Sequence, residues 1–379
     1  MSAWPGKYII GLTGNIATGK SVVRKMLEHL GAYGIDADAL GHRAIAKGAP
    51  GYRPVVELFG KWILGADGQI DRARLARVVF SDPEALKQLE AVVHPLVRQA
   101  VDILARRAPQ KVIVIEAIKL LESPLRATLD SLWVTYSPPP VQLDRLMQKR
   151  GLTEETAQQR ILVQSPQAEK LAVANVVIRN ENSFEDTWKQ VVAAWQENLP
   201  ARVTETKPVR AVEAPLGKMV IEKVRPRSAA DIASFVTRIS AGDRSPKTED
   251  IMAAFGEKAF LAITIDSRLM GIVGWQVENL VARCDDIYLD PSLPVEEATK
   301  LLTEEIERAS RDLQCEISLI FLPPHLARQE RAWQALGYEP RTIQSLGVRA
   351  WQEAAQETQA NGEIMLFKQL RKDRVLRPV

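Results

Sequence analysis

The stretch Gly14-Asn15-Ile16-Ala17-Thr18-Gly19-Lys20-Ser21 decides the fold of the first half of this chain. It fits the pattern G-x-x-x-x-G-K-[ST], which is the phosphate-binding loop called the P-loop. An apolar run ends at Thr13, directly before the loop, and an amphipathic segment starts at Lys20. Because a P-loop connects a strand to a helix, this context predicts a nucleotide site rather than a chance match.

Each part of the loop has a physical task. Glycines adopt backbone conformations that other residues avoid, so that successive N–H groups can point at phosphates, and the helix N-terminus adds a partial positive charge. We expect Lys20 to reach the terminal phosphates and the Ser21 hydroxyl to bind magnesium. The loop alone fits a GTPase, an ATPase motor or a small-molecule kinase. The predicted nucleotide-binding positions are Gly14, Asn15, Ile16, Ala17, Thr18, Gly19, Lys20, Ser21 and Val22.

Apolar runs alternate with amphipathic segments through the first half of the chain. This alternation predicts an α/β fold with a parallel sheet that is covered by helices on both faces. The predicted strands are Tyr8–Thr13, a short strand that ends at Asp36, Val112–Ile115, Leu132–Tyr136 and Val176–Ile178.

Two aspartates follow the second predicted strand in the stretch Ile35-Asp36-Ala37-Asp38. The carboxyl ends of parallel strands border the ligand crevice of an open sheet. Asp36 and Asp38 could therefore orient a metal ion or accept a proton from an attacking hydroxyl. A capped turn with two solvated carboxylates fits the spacing equally well.

Length and composition bound the remaining possibilities. A chain of 379 residues corresponds to about two domains, and a formal charge of +3 gives no reason to propose nucleic acid or membrane as a partner. The two cysteines, Cys284 and Cys315, cannot form a paired-cysteine metal site and are expected to be reduced thiols. Since the chain shows neither a signal-peptide pattern nor a membrane span, we expect a cytoplasmic protein.

A segment rich in proline and charge separates the two halves. We predict a first domain over residues 1–198, a linker over residues 199–217 and a second domain over residues 218–379, because the regular pattern restarts at Met219. A long surface loop within one domain is the alternative. The sequence pattern of the second half predicts an α+β fold. The predicted elements are strands near 219–224, 260–265, 271–277, 287–289, 317–322 and 364–367 and a long helix over 295–313.

Several segments in order along the first half resemble the dephospho-coenzyme A kinase family. Beside the P-loop and Ile35–Asp38, the resemblance covers about residues 7–197. It is carried by Phe59-Gly60, Asp67-Gly68-Gln69-Ile70-Asp71-Arg72, Leu75, Val79-Phe80, Leu89-Glu90, His94-Pro95, Gln142, Arg145, Arg150, Arg160-Ile161, Gln164, Val177-Ile178 and Asn180.

The resemblance implies the P-loop kinase fold with a parallel five-stranded core, and transfer of the γ-phosphoryl group of ATP to the ribose 3′-hydroxyl of dephospho-coenzyme A. It implies that Asp38 activates this hydroxyl, with Asp36 beside it, and that ATP and Mg²⁺ are required. Arg72 and His94 match positions of the substrate-binding region, and Arg145 and Arg150 match arginines of a mobile lid. Lys20, Asp38 and Arg145 are thus the predicted catalytic residues.

The alternatives for these residues stay open at this level. His94 before Pro95 could be a helix-breaking pair, Arg72 a surface residue, and Arg145 with Arg150 a solvated helix face. For Glu116 and Glu122, structural pairing is favoured over assistance to a metal ion. A P-loop kinase for another nucleoside or nucleotide, or a nucleotide-binding regulator without turnover, is the alternative for the whole domain.

The chain departs from the family pattern at three places. Asn15 and Ala17 stand where the family usually has glycine, and Ala174-Asn175 replaces an Ala-Asp pair before the last strand. The segment Ala117–Glu122 replaces a Pro-Leu-Leu segment that borders the acceptor, so the exact acceptor-binding residues there stay undefined.

Residues 218–379 faintly resemble the GNAT acyltransferase fold, through element order, Gly271-Ile272-Val273-Gly274 and Leu336-Gly337-Tyr338-Glu339-Pro340. That fold usually holds pyrophosphate on a glycine-rich loop, whereas Asp290–Glu297 lacks glycine and carries acids that repel anions. We therefore expect a degenerate acyltransferase or a ligand-binding module, with CoA or acyl-CoA as the candidate ligand. An active acyltransferase and a purely structural or oligomerisation module are the alternatives.

Overall fold

The computed structural model describes residues 4–204, 217–360, 362–372 and 375 of the chain. In the first half, five strands form one sheet in the order β2-β3-β1-β4-β5, and every neighbouring pair is parallel. The predicted parallel five-stranded core is confirmed. Its strands are β1 (Tyr8–Thr13), β2 (Tyr33–Asp36), β3 (Val112–Glu116), β4 (Ser131–Tyr136) and β5 (Val176–Arg179).

Helices cover both faces of this sheet. On one face, Val23 and Met26 of the first helix pack with Trp195 against the sheet, and on the other face Leu40 and Leu104 do so. The helices of this half are α1 (Lys20–His29), α2 (Ala37–Ala44), α3 (Tyr52–Phe59), α4 (Arg72–Ser81), α5 (Pro83–Arg107), α6 (Pro139–Arg150), α7 (Glu154–Leu162), α8 (Gln167–Ala172), α9 (Phe184–Asn198) and α10 (Ala201–Thr204), with 3₁₀ turns at Lys61–Ile63 and Pro124–Thr128.

Helix α5 runs through Pro95 without a break. The interpretation of His94-Pro95 as a helix-breaking pair is therefore wrong. Proline lacks the N–H that would bond to the carbonyl four residues earlier. Both Pro95 and Ala91 lie on the exposed face of the helix, where water can take that hydrogen bond.

Single residues with strong conformational preferences mark the end of α6 and the start of α7. Gly151 adopts a left-handed conformation with φ of 60° and ends α6, and the Thr153 side chain accepts from the amide of Thr156 to cap α7. These two helix ends agree with the preferences of glycine and threonine at such positions. They orient α7 and α8 so that the segment between them reaches the P-loop.

The second half contains a seven-stranded mixed sheet in the order β11-β12-β10-β9-β8-β7-β6. The pair β9–β10 is parallel and the other pairs are antiparallel. The strands are β6 (Met219–Lys223), β7 (Ala259–Ile265), β8 (Arg268–Glu278), β9 (Val281–Leu289), β10 (Ile317–Leu322), β11 (Glu339–Pro340) and β12 (Ile364–Gln369). The predicted α+β class of this half is confirmed.

Helices and buried aromatic residues complete the second half. Trp333 and Trp351 are buried in its core, as expected for packing residues. Cys284 and Cys315 are fully buried free thiols, and burial raises the pKa of both. The helices are α11 (Ala229–Ile239), α12 (Thr248–Ala254), α13 (Val295–Asp312), α14 (Pro324–Ala327), α15 (Glu330–Ala335) and α16 (Arg349–Thr358), with 3₁₀ turns at Pro226–Ser228 and Ile343–Ser345.

The two halves meet along a surface that we call the seam. Arg43 of α2 pairs with Glu316 at 2.6 Å, and the Glu316 side chain is only 1% exposed. The His29 imidazole lies 2.8 Å from the Phe255 carbonyl oxygen and packs edge-on against the Phe255 ring. Most of the predicted linker, residues 205–216, lies outside the described residues.

Candidate active site

The P-loop follows β1 and makes a tight turn with positive φ angles at several residues. Gly14 has φ of 152° and Gly19 has φ of 89°. A Cβ atom at Gly14 would lie 2.3 Å from the Thr135 hydroxyl oxygen, and one at Gly19 would lie 1.9 Å from the Asn180 amide nitrogen. Glycine is therefore required at both positions. Ala17 also has a positive φ of 59°, in the region that glycine favours.

Helix α1 begins at the end of this loop and its N-terminus carries no side-chain cap. The first amides of a helix have no helical acceptor, so those of Lys20 and Ser21 are available to an anion. The Lys20 side chain is 8% exposed and its ammonium donates to the Asn15 carbonyl oxygen at 3.2 Å. Burial lowers the pKa of Lys20, opposed by the charges of Glu116 and Asp38. The loop thus offers donors and one buried cation.

Asp36 and Asp38 stand at the carboxyl end of β2, beside this loop. Asp36 caps α2 by accepting from the Ala39 amide at 2.8 Å, and Asp38 accepts from the Ile118 amide at 3.0 Å. Burial, aided by the charge of Glu116, raises the pKa of Asp36 to about 6. Burial also raises the pKa of Asp38, although the Ile118 amide and Lys20 oppose this effect. The segment that departs from the family pattern thus fixes one of the two carboxylates.

Glu116, at the end of β3, connects Ser21 to a buried arginine. One carboxylate oxygen accepts from the Ser21 hydroxyl at 2.9 Å and the other accepts from Arg24 at 2.7 Å. The favoured structural pairing of Glu116 is thus present, while the same carboxylate orients the Ser21 hydroxyl. Arg24 was not foreseen, because its partner lies 92 residues away in the sequence. The sequence signal available was only local, since Arg24 stands four residues before Glu28, with which it pairs on the same helix face.

Helix α6, which carries the arginines predicted for the lid, contacts the P-loop through Arg145. Its guanidinium donates to the Ala17 carbonyl at 3.1 Å, the Ser137 hydroxyl at 3.0 Å and the Asn180 carbonyl at 2.9 Å. Arg150 is exposed, but it is close enough to Lys20 to lower that residue's pKa. The structure therefore places Arg145, of the two arginines predicted for the lid, in direct contact with the P-loop.

Asn15, where the family usually has glycine, is tied to the segment after α7. Its side chain donates to the Ser165 carbonyl at 3.0 Å and accepts from Lys170 at 2.6 Å. The neighbouring Ile16 amide donates to the Gln164 side chain at 2.8 Å. Lys170 was missed in the sequence. The polar side chain of Asn15, in a loop that usually needs none, was the signal that a partner had to be present.

The remaining predicted residues lie farther from the loop. Arg72 opens α4 and stands 3.7 Å from Glu353 of the second half, with both side chains exposed. His94 is half-buried within α5, and Glu122 is exposed. Asn175 of the altered Ala-Asn pair uses its side chain to accept from the Leu132 amide at 2.7 Å, which fixes the start of β4 and β5.

The oxygen atoms around Ser21 fit a magnesium ion. Magnesium prefers oxygen ligands and usually keeps several waters, and it binds through one or two protein groups together with substrate phosphates. The Ser21 hydroxyl and the Glu116 carboxylate supply such oxygens side by side. Over the residues that the structure describes, no cluster of three or more histidine, cysteine or acidic side chains could hold a metal by itself.

A parallel sheet, a P-loop with a buried lysine, two carboxylates at the end of β2 and an arginine that contacts the loop define a P-loop kinase. The family model described as dephospho-CoA kinase matches residues 8–186. The dephospho-CoA kinase of Geobacter metallireducens is 41% identical over 194 residues, which are 50% of this chain and 96% of that protein. This chain belongs to the dephospho-CoA kinase family.

Solved structures resemble each half separately. Dephospho-CoA kinase from Campylobacter jejuni is 28% identical, with a TM-score of 0.34. The match covers 51% of this chain and 97% of the Campylobacter jejuni chain. A GNAT-family acetyltransferase from Staphylococcus aureus is 11% identical, with a TM-score of 0.33. The match covers 41% of this chain and 100% of the Staphylococcus aureus chain.

Proposed function

We propose that the first domain transfers the γ-phosphoryl group of ATP to the ribose 3′-hydroxyl of dephospho-coenzyme A, giving coenzyme A and ADP. The observation that carries the proposal is the position of Asp38. Its carboxylate is fixed by the Ile118 amide at 3.0 Å, next to the P-loop that contains Lys20. The names of the relatives support dephospho-coenzyme A as the acceptor.

The residues divide the work of phosphoryl transfer between them. The α1 amides and Lys20 bind the transferred phosphate. Arg145, which donates to the Ala17 carbonyl, is close enough to the loop to neutralise part of the negative charge of that phosphate. Asp38 holds the acceptor hydroxyl and takes its proton, because a buried carboxylate with a raised pKa is a better base than a solvated one. Positioning and charge neutralisation supply most of the rate in this class of reaction.

We further propose that Ser21 and Glu116 hold Mg²⁺ together with the phosphates of ATP. When bound, the ion neutralises the charge that develops on the transferred group. The residues of the chain contribute the orientation, because Glu116 accepts from Ser21 at 2.9 Å and keeps the hydroxyl oxygen facing the phosphate side.

The test uses the full-length chain and measures ADP release with ATP and dephospho-coenzyme A. We expect turnover with this acceptor and little with adenosine or other nucleosides. Asp38→Asn should lower kcat by roughly two orders of magnitude or more and leave ATP affinity nearly unchanged, as expected for a group that acts on the acceptor. Asp312→Asn, at the exposed end of α13, is the matched control for a lost carboxylate.

Each alternative gives a different result. A preference for another nucleoside would assign a different acceptor, and ATP binding without turnover would assign a regulator. Full activity of Asp38→Asn would remove that residue from the chemistry. Lys20→Met should weaken ATP binding under every one of these functions, so that it identifies the nucleotide site independently of the acceptor.

The second domain and the cellular compartment stay predictions. CoA or acyl-CoA is the ligand that we expect for the second domain, and calorimetry of the full-length chain with CoA, before and after saturation of the first domain's acceptor site with dephospho-coenzyme A in the absence of ATP, is the direct test. Across the residues described, no helix combines the length and apolar character needed to cross a membrane. We propose the cytoplasm as the location, in keeping with coenzyme A synthesis.

A further inference from the structure

The turn that joins β8 to β9 contains a residue that the turn itself disfavours. Asn279 has φ of 50° and Leu280 has φ of 62°. Two consecutive left-handed residues make a type I′ hairpin, for which Asn-Gly is the preferred pair. Asparagine adopts this conformation readily, but leucine does not. A residue with a strained backbone is retained where the surrounding structure holds it in place. Such strain therefore points to a functional role for that position.

The surroundings of Leu280 belong to the first domain. Its side chain is 8% exposed and lies in the same buried cluster as Leu40 and Leu104. The hairpin also lines, together with Asp36, a cavity of about 40 Å³ at the seam. Leu280 therefore anchors the tip of the hairpin, residues Val277–Val281, in the core of the kinase domain, beside the strand β2 that ends at Asp36.

A chain of charged contacts leads from this hairpin to the P-loop helix. The Val277 carbonyl accepts from the Lys25 ammonium at 2.7 Å. Lys25 lies 3.1 Å from Glu28, and Glu28 lies 2.7 Å from Arg24. Arg24 in turn holds the carboxylate that accepts from Ser21. Arg24 and Glu28 are shielded from water, with side-chain exposures of 5% and 16%, so that solvent screens these contacts weakly.

The second domain also holds the far end of the same helix. The His29 imidazole donates to the Phe255 carbonyl at 2.8 Å, and Tyr33 at the start of β2 donates to the Leu313 carbonyl at 3.2 Å. Helix α1 thus has its N-terminus at the phosphate site and its C-terminal turn fixed by the other domain. A shift of the helix along its axis would break contacts at both ends.

We propose that the hairpin tip Val277–Val281 is a positioning element of the phosphotransfer site, which holds α1 and the Glu116 carboxylate in the register that orients Ser21. The inference rests on the proposed function of the first domain. It gives the second domain a role in the kinase reaction that needs no ligand or catalysis of its own.

The first experiment separates docking from turn stability. Leu280→Gly installs the preferred turn pair but removes the side chain that enters the kinase domain. Ser267→Gly is the matched control, because Asp266 and Ser267 form the other two-residue turn with positive φ, between β7 and β8, and Ser267 is exposed. Both variants relieve the same kind of backbone strain, and only the first loses contacts at the seam.

We expect Leu280→Gly to lower kcat about tenfold, as a misplacement well under 1 Å at the site would do, with KM for dephospho-coenzyme A unchanged. Hydrogen exchange of the amides in Lys20–His29 should become faster in the same variant. Ser267→Gly should keep both properties of the wild type. Lys25→Met should reproduce the loss without any change in the hairpin, and Lys25→Arg, which keeps a cationic donor, should restore most of the rate.

Wild-type kcat and unchanged exchange of α1 in Leu280→Gly and Lys25→Met would overturn the proposal. A raised KM with normal kcat would also overturn it, because the hairpin would then act on acceptor binding. If the wild-type chain phosphorylates no dephospho-coenzyme A, the proposed function is wrong. The exchange of the α1 amides in the two variants then decides on the positioning role by itself.

Discussion

Replacing Asp36 by asparagine should make this chain more stable at neutral pH. The carboxylate is buried beside Glu116, and burial together with that charge raises its pKa to about 6. One pKa unit corresponds to about 1.4 kcal/mol, so the interval from 3.8 to about 6 sets a ceiling of about 3 kcal/mol on the destabilisation. Asparagine caps helices as well as aspartate does, and it can therefore keep the bond to the Ala39 amide.

The gain should depend on pH with a defined sign. Because the folded pKa of Asp36 lies above its unfolded value, the folded chain binds this proton more tightly, and the destabilisation is present above pH 6 and fades as the pH falls towards 4. His29 has the opposite dependence, since burial lowers its pKa to about 4 and its stabilising effect is lost as the pH falls from 6.5. His29 is common to both proteins, so it cancels in their difference.

The assay is urea unfolding of both proteins at pH values from 4 to 8, in the absence of nucleotide and magnesium. We expect the variant to be more stable by 1–3 kcal/mol, to order of magnitude, at pH 7 and equal to the wild type near pH 4. Asp71→Asn is the control, because Asp71 also caps a helix, but amides of that helix lower its pKa and no gain should follow. Equal stability of Asp36→Asn and wild type at pH 7 would refute the reasoning.

Two further substitutions test the loop and the seam. Gly14→Ala should abolish ATP binding, measured by calorimetry, because its Cβ would lie 2.3 Å from an oxygen of the neighbouring strand, whereas Gly31→Ala meets no atom within 4 Å and should cost about 1 kcal/mol of stability without affecting ATP. Arg43→Met leaves the buried Glu316 carboxylate without its cationic partner, with only the Trp351 indole N–H as a side-chain donor among the described residues, and should lower the free energy of unfolding by about 3 kcal/mol in urea. Lys189→Met breaks an exposed ion pair and should leave the free energy of unfolding nearly unchanged, and equal effects of the two substitutions would contradict the role of the seam.

The parts of the fold that the sequence predicts are those determined by neighbouring residues. The P-loop, the strand before it and the helix after it form one continuous stretch, and Gly151 and Thr153 mark helix ends by their own conformational preferences. The five buried strands of the first sheet are short apolar runs, whose length and flanking residues identify them. The class of both halves followed from these runs and their order.

The parts that escaped prediction depend on contacts between distant residues. Arg24 and Glu116 meet only because β3 is placed beside β1 in the sheet, and Lys170 meets Asn15 only because α8 folds back over the loop. Residues 281–286 of β9 were missed, because the Asn279-Leu280 turn lacks the glycine that usually marks a hairpin. The short helices α12 and α16 were missed as well, because each gains its stability from packing rather than from a long pattern.

The two buried thiols of the second domain can report on when this domain opens. Both are inaccessible in the folded chain, and their high proton affinity suppresses the reactive thiolate. The first domain has no cysteine in its sequence. A thiol reagent added in excess therefore labels Cys284 only as fast as the second domain opens, so that this opening can be timed without introducing a probe.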